Sequence, residues 1–180
     1  MNTLLVILLI LIGVIVLFLF AGLFIKKEFF IERSIVIQKS KHDVFNYIRF
    51  LKNAEHFNKW TMTDPSMKKI VSGIDGAKGF TYTWDSTNKN VGAGAQEIID
   101  IREEDRIDYE LRFERPFKNK AYSSLITSTV SPDEVKVSWT FHGVMKYPMN
   151  ILHALLNLSQ MLGKDLEISL NNLKVVLEKK

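Results

Sequence analysis

The chain contains no cysteine in 180 residues, which excludes a disulfide framework and a metal site built on thiolates. Its four histidines, His42, His56, His142 and His153, show no metal-ligand spacing such as HxxxH. We therefore predict no metal site. Clusters of one charge are also missing, because lysines are interspersed with acidic residues along the chain. The formal net charge of +4 thus gives little support to nucleic-acid binding.

Charged side chains are absent from the first 25 residues. From Thr3 to Ile25 the sequence TLLVILLILIGVIVLFLFAGLFI has a single hydroxyl and no ionisable group. About 20 apolar residues at ~1.5 Å rise cross the ~30 Å hydrocarbon core of a bilayer. The alternative is a cleaved secretory signal, which would carry a basic segment first and an apolar core of only about 7–15 residues. We predict a transmembrane anchor over residues 1–27 and one domain over residues 28–180.

Basic residues predict the orientation of this single-pass anchor. Lys26 and Lys27 follow the apolar run, and Arg33 lies a few residues further on, whereas only the α-amino group precedes it. Because basic residues near a membrane-spanning helix stay on the cytoplasmic side, the domain is predicted to be cytoplasmic. In a bacterium the protein would then lie in the inner membrane.

The remaining residues are long enough for one domain, and most of them alternate between apolar and polar side chains. Such a period of two is typical of strands with one buried and one solvated face. The predicted strands cover residues 30–38, 67–72, 80–85, 92–101, 107–114, 121–130 and 135–141. Their order along the chain indicates an antiparallel sheet whose buried face is rich in aromatic residues.

Helices are predicted on both sides of this run of strands. Ser40 with Asp43 is close to a capping box and begins a short helix, and Leu51–Phe57 is a second one. A leucine stripe predicts one long helix from Asn150 to about Leu177, in which Gly163 marks either a close contact or a bend. The order indicates an α+β fold, with a curved antiparallel sheet wrapped around the C-terminal helix. A space is expected between the aromatic face and the first half of that helix.

Several stretches carry a family resemblance. They are ERSIVIQKSKHDVFNYI (32–48), GIDGAKGFTYTWDS (73–86), NVGAGAQEI (90–98), DRIDYELRFERPFKNKA (105–121), VKVSWTFHGVM (135–145) and GKDLEISLNNLKVVLEK (163–179). Over about residues 29–180 the chain resembles the START/Bet v 1-like (SRPBCC) superfamily, in its polyketide cyclase/dehydrase and lipid-transport branch. The resemblance implies a helix-grip fold with a hydrophobic cavity between sheet and helix, which relatives use for lipids, sterols, quinones, plant hormones or polyketides. No stretch is a catalytic signature, and a fold alone does not define a function.

Glu97 is the first candidate for chemistry. It alternates in phase with Ile99 and Ile101, which predicts that its side chain points inward. Apolar walls would raise the pKa of its carboxyl group and suit it to acid–base chemistry or to anchoring the polar end of a ligand. In the alternative orientation Ile98 faces inward, and Glu97 faces solvent or pairs with Arg112.

Tyr109 and His153 are the other catalytic candidates, and no spacing joins them to Glu97 as a set. The aromatic residues on the sheet are either ordinary core or the wall of an apolar pocket, where Tyr and Trp offer shape and one hydrogen bond each. We predict a pocket. Its predicted ligand-binding residues are Trp60, Tyr82, Trp84, Glu97, Tyr109, Phe113, Trp139, Phe141, Met145, Leu155, Leu158 and Met161.

No cofactor is predicted. GIDGAKG lacks the Ser or Thr after Gly-Lys that a phosphate-binding loop needs, and the glycines at 92 and 94 open a strand, whereas a dinucleotide fingerprint opens a helix. The sequence thus predicts a membrane-anchored domain that binds a hydrophobic small molecule or lipid. The alternatives are a cyclase- or hydrolase-type enzyme acting on an apolar, polyketide-like substrate, and an interaction or sensory module that has lost its cavity.

Overall fold

The computed structural model describes residues 2–179 and begins with an apolar helix. This helix, α1, runs from Thr3 to Gly22, and its most apolar stretch is not buried against the rest of the protein. By length and composition it is able to cross a membrane. Ionisable side chains first appear at Lys26 and Lys27, between α1 and the first strand.

One seven-stranded antiparallel sheet is the largest element of the remaining chain, as the alternation of apolar and polar residues predicts. Its strands lie in the order β1-β7-β6-β5-β4-β3-β2. Their bounds are Glu28–Ile37 (β1), Lys68–Ser72 (β2), Thr81–Asp85 (β3), Ala93–Arg102 (β4), Arg106–Arg115 (β5), Asn119–Ser131 (β6) and Glu134–Val144 (β7). β1 and β2 are therefore the two edges of the sheet.

Short helices connect β1 to β2. Helix α2 spans Lys41–Arg49, a 3₁₀ helix spans Leu51–His56, and α3 spans Lys59–Thr63. The predicted cap is confirmed, because the Ser40 hydroxyl accepts a hydrogen bond of 3.2 Å from the backbone N–H of Asp43.

The C-terminal part contains two helices, and the prediction of one continuous helix is wrong. Helix α4 spans Met149–Leu155 and α5 spans Leu158–Glu178. Between them Asn157 has a φ of 45°, a left-handed conformation that asparagine tolerates better than most residues. Gly163 does not end a helix; a Cβ atom there would overlap the Arg33 guanidinium group, so the glycine permits a close contact between α5 and β1.

The core lies between the concave face of the sheet and α5. The leucines at 166, 170, 173 and 177 are buried on one stripe of α5. They pack with apolar residues of β1, α2 and the central strands. Before Leu166 the same helix is less buried, so the sheet and helix diverge towards the N-terminal end of α5. The structure thus has the predicted α+β architecture, a sheet wrapped around a long C-terminal helix.

Candidate functional site

A cavity of about 240 Å³ lies where the sheet and the first half of α5 diverge. Five predicted ligand-binding residues meet there: Trp60, Tyr82, Trp84, Phe113 and Phe141. The other lining residues are Asn58, Thr61, Met67, Asn90, Val91, Gln96, Leu111, Arg115, Pro116 and Leu162. The inward face of the sheet therefore supplies most of an apolar wall, and α3 and α5 close it.

Edge-to-face ring contacts hold part of this wall in place. The rings of Trp84 and Phe113 lie 5.9 Å apart at a steep angle, and those of Phe113 and Phe141 lie 6.5 Å apart. Both separations lie in the range of favourable aromatic pairs. The Trp84 indole N–H also donates to the carbonyl oxygen of Val91, at 3.3 Å. Trp84 therefore has a fixed orientation at the cavity.

Gln96 is the polar side chain best placed to bind a ligand. It faces Tyr82 on β3 and Leu111 on β5 in the register of the sheet, and all three line the cavity. Within residues 2–179 its side-chain amide has no hydrogen-bond partner. A buried or half-buried amide gains by pairing, so Gln96 offers one donor group and one acceptor to a molecule in the cavity.

The Tyr82 hydroxyl supplies a second polar group. It lies 3.4 Å from the Glu55 carboxylate, which in turn pairs with Lys69 at 3.1 Å. Burial, and secondarily the Glu55 charge, raise the pKa of Tyr82 well above its ordinary value. The hydroxyl therefore keeps its proton at neutral pH and serves as a hydrogen-bond donor.

The orientation predicted for Glu97 is wrong. Its carboxylate lies on the outer face of the sheet and accepts a hydrogen bond from the Arg112 guanidinium at 2.8 Å. Arg112 bonds Glu110 at the same distance, while Ile98 is fully buried on the inner face. The alternative orientation considered from the sequence is thus correct, and Glu97 is not part of the cavity wall.

A β-bulge explains the misassigned face. Ile98 pairs with Tyr109, and Ile101 pairs with Ile107. The two positions are three residues apart on β4 but only two apart on β5, so β4 contains one extra residue. A single inserted residue reverses the facing of everything beyond it. The phase of Ile99 and Ile101 therefore gives no information about Glu97, which lies before the bulge.

Tyr109 and Trp139 lie deeper than the cavity. Both line a gap of about 10 Å³, which is at most the space of one water molecule. The Tyr109 ring is 2 % exposed, and burial raises the pKa of its hydroxyl. The Trp139 indole N–H donates to the Ser123 hydroxyl at 2.8 Å. These two rings are core, separated from the space a ligand would occupy.

His153 lies on α4 and does not line the cavity. Its ring packs against Phe29, with the ring centres 5.2 Å apart, and Phe29 stacks in turn on Phe141 at 5.8 Å. Partial burial lowers the pKa of the imidazole, so His153 is neutral at physiological pH. Two rings therefore stand between this candidate base and the cavity.

The ligand-binding residues predicted on the C-terminal helix, Leu155, Leu158 and Met161, do not line the cavity. Leu155 and Met161 are more than half exposed, and Leu158 lies at the first position of α5, outside the lining of the cavity. Met145 lies elsewhere, in an open groove of about 1140 Å³ beside the end of α1. The break at Asn157 leaves the leucines of α4 pointing away from the sheet, and within α5 Leu162 alone lines the cavity.

The large groove is a surface feature and has a mixed polar and apolar lining. It is lined by Lys26, Glu28, Phe29, Phe30, Arg112, Phe113, Glu114, Phe117, Lys118, Asn119, Lys120, Tyr122, His142, Gly143, Val144, Met145, Lys146, Tyr147 and Met149. Small-molecule sites are usually enclosed and mainly apolar. The smaller cavity fits that description better. No group of three or more His, Asp or Glu side chains in residues 2–179 is arranged to hold a metal ion.

Solved structures share this fold at low sequence identity. Norcoclaurine synthase from Thalictrum flavum, in complex with dopamine and hydroxybenzaldehyde, matches with a TM-score of 0.63 and 13% identity over 85% of this chain and 88% of its own. The di-domain ARO/CYC protein StfQ of the steffimycin biosynthetic pathway matches with a TM-score of 0.61 and 12% identity, over 85% of this chain and 51% of its own. A Mesorhizobium loti protein gives 0.59 and 12%, over 86% and 98%.

These similarities show the fold. The chain has a helix-grip fold, a curved antiparallel sheet around a long C-terminal helix, with an apolar helix added at the N-terminus. No protein-family model matches the chain. A search of curated proteins also gives no match. The function therefore has to be argued from the cavity itself.

Proposed function

We propose that this protein is a membrane-anchored domain that binds a hydrophobic small molecule or a lipid in the cavity between the sheet and α5. The observation that carries the proposal is the cavity of about 240 Å³, with five aromatic residues in its wall and the free amide of Gln96 inside it. A site of this kind recognises an apolar body by shape and one polar group by hydrogen bonding.

The volume limits the size of the ligand. Ligand pockets commonly measure about 300–1,000 Å³, so this cavity, at about 240 Å³, is slightly smaller than that range. It suits a compact ring compound, or one end of a longer lipid whose remainder extends through the opening. The Tyr82 hydroxyl donates its proton to Glu55 and so offers its oxygen as an acceptor, whereas the Gln96 amide donates and accepts; together they favour a ligand with a hydroxyl or carbonyl group next to its apolar part.

Contacts between α1 and the domain support retention of the N-terminal helix as an anchor. The Asn150 side-chain amide donates to the carbonyl oxygens of Gly22 and Ile25, at 2.9 and 3.1 Å. Asn150 is only 1% exposed, so these bonds are sheltered from water. A signal peptide that is cleaved off is not expected to form buried hydrogen bonds with the mature domain.

The alternative function is a cyclase- or hydrolase-type reaction on an apolar substrate. Norcoclaurine synthase and the ARO/CYC protein have the same fold, which is the observation that favours it. Such a reaction needs an acid–base group at the substrate. Glu97 is on the outer face, His153 is behind two rings, and the raised pKa values of Tyr82 and Tyr109 keep their hydroxyl groups protonated, so that neither is available as a base. Binding is therefore the better supported function.

Native mass spectrometry tests the binding proposal. The full chain, purified in a mild non-ionic detergent, is expected to keep a small apolar adduct after the micelle is removed. Leu162→Trp should remove that adduct, because the larger ring fills the cavity from α5. Val175→Trp, an exposed position on the same helix, is the matched control and should keep it. An adduct that survives in Leu162→Trp would place the ligand outside this cavity and contradict the proposal.

A further inference from the structure

Helix α4 has an uncovered apolar face. Leu152, Leu155 and Leu156, at i, i+3 and i+4, are 45, 59 and 58% exposed. The opposite side carries Asn150 and Ile151, which are buried. A helix in contact with water on this side would carry polar residues there, and a contiguous exposed apolar face marks an interaction surface.

This face is attached to the end of the apolar helix α1. Asn150 donates to the carbonyl oxygen of Gly22, the last residue of α1, and to that of Ile25, three residues beyond it. A Cβ atom at Gly22 would overlap the Ile151 side chain, so the two helices are in direct contact. The position at which α1 leaves a bilayer therefore fixes the position of α4.

The β5–β6 hairpin ends at the same side of the domain. The Met145 backbone N–H donates to the Lys27 carbonyl oxygen at 2.7 Å, and the Asn119 amide lies 3.8 Å from the Met145 sulfur. The tip of the hairpin, between Arg115 and Asn119, carries Phe117, which is 59% exposed, and Lys118, whose side chain is 84% exposed. Lys118 pairs with Glu114 at 3.2 Å, and an exposed Phe next to a lysine is common in segments that lie in the membrane–water interface.

We propose that the leucine face of α4 and the tip of the β5–β6 hairpin lie in the headgroup region of the bilayer beside α1. This inference rests on the proposed membrane anchoring. The occupant is a lipid surface because the patch continues from α1, and because Lys26, Lys27 and Lys146 provide positive charge for anionic headgroups at the same level.

The arrangement has a consequence for the cavity. Arg115 and Pro116 line the cavity, and Phe117 follows them directly at the hairpin tip. With the tip in the headgroup region, this side of the cavity lies against the membrane surface. An apolar molecule would then pass between bilayer and cavity without exposing its apolar surface to bulk water, which is unfavourable.

The absence of cysteine allows a direct test with the full chain. Single variants Leu155→Cys and Phe117→Cys, each labelled with a thiol-reactive NBD fluorophore, are reconstituted in vesicles of phosphatidylcholine and phosphatidylglycerol that contain a lipid spin-labelled near its headgroup. Both are expected to show blue-shifted emission and loss of fluorescence by quenching. Ile74→Cys and Val130→Cys, which are exposed and lie away from the α1 end of the sheet, are matched controls and should show neither effect.

A probe in the middle of α1, Val14→Cys, separates the two proposals. If a lipid spin-labelled deep in its chain quenches Val14 but the shallow label leaves Leu155 and Phe117 unquenched, the anchor is present and the present inference is wrong. If Val14 is not quenched, membrane anchoring itself fails. A blue shift at Leu155 without quenching would mean that protein, such as a second copy of the chain, covers the face, and this too would overturn the inference.

Discussion

Three glycines provide a graded test of how closely the sheet is packed around the cavity. A Cβ atom at Gly94 would lie 2.5 Å from the Arg112 carbonyl oxygen and 2.8 Å from the Trp84 ring. At Gly143 the closest atoms would be the Lys120 carbonyl oxygen and the Phe29 ring, both at 3.1 Å. At Gly13, in α1, nothing lies within 4 Å. Replacing each glycine with alanine adds one methyl group, and the space available for that group differs among the three positions.

Two opposing effects determine the expected change in stability. Alanine favours folding by about 0.5–1 kcal/mol in a strand or helix relative to glycine, whereas forced overpacking costs about 1–3 kcal/mol. At Gly94 the added atom would lie only 2.5 Å from a backbone oxygen, too close for a small shift to relieve, so we expect Gly94→Ala to lower the free energy of unfolding by about 2 kcal/mol. For Gly143→Ala a shift of a few tenths of an ångström relieves the contact, and the two effects should nearly cancel. Gly13→Ala should leave the domain unchanged.

Urea unfolding of the full chain in mild detergent, followed by circular dichroism, measures these differences. With a slope of about 2 kcal/mol per molar urea, Gly94→Ala should move the midpoint down by about 1 M. Its tryptophan emission should also change, because the added methyl displaces Trp84 from the cavity wall. A Gly94→Ala protein as stable as the wild type, or no less stable than Gly143→Ala, would refute the packing described here.

Two further predictions concern the cavity and the anchor. Gln96→Leu should weaken ligand retention in the native mass spectrum by about 2–10-fold, the value of one hydrogen bond, whereas Glu97→Gln on the other face of β4 should leave retention unchanged and cost at most about 1 kcal/mol of stability. If Glu97→Gln weakened retention and Gln96→Leu did not, Glu97 and not Gln96 would be the ligand-binding residue. For topology, green fluorescent protein fused to the C-terminus should fluoresce and alkaline phosphatase there should be inactive; replacing Lys26 and Lys27 with Gln while adding lysines after Met1 should invert or mix the orientation. Active phosphatase in the unaltered chain would place the domain outside.

The strands were predictable because most of them are half-buried. Where one face meets the core and the other meets water, the sequence alternates with a period of two. The residues of β5 and β7 follow that alternation, although Ser138 and Thr140 on the polar side of β7 are also buried. The same alternation assigned Trp84, Phe113 and Phe141 to the inner face, where they line the cavity. Side chains on regular strands are therefore the part of the site that a sequence specifies best.

Two irregularities account for the residues that sequence reasoning placed wrongly. The bulge in β4 reverses the sides on which Gln96 and Glu97 lie relative to the residues that follow. No feature of the sequence around Ile99 indicates an extra residue. The left-handed Asn157 divides a leucine stripe that reads as continuous, so Leu155 no longer faces the sheet. The signal available for Gln96 was its phase with Ile98, the neighbour before the bulge.

The break at Asn157 also explains how one stripe of leucines serves two environments. In α5 the leucines from Leu166 onwards are buried in the core, whereas those of α4 are exposed although their spacing is the same. A continuous helix would bring both groups to the same side, over the cavity. Dividing it leaves an opening between sheet and helix and presents the second apolar face beside α1. On this reasoning Asn157→Ala, which favours an unbroken helix, would close the cavity and withdraw the leucine face from the membrane in a single step.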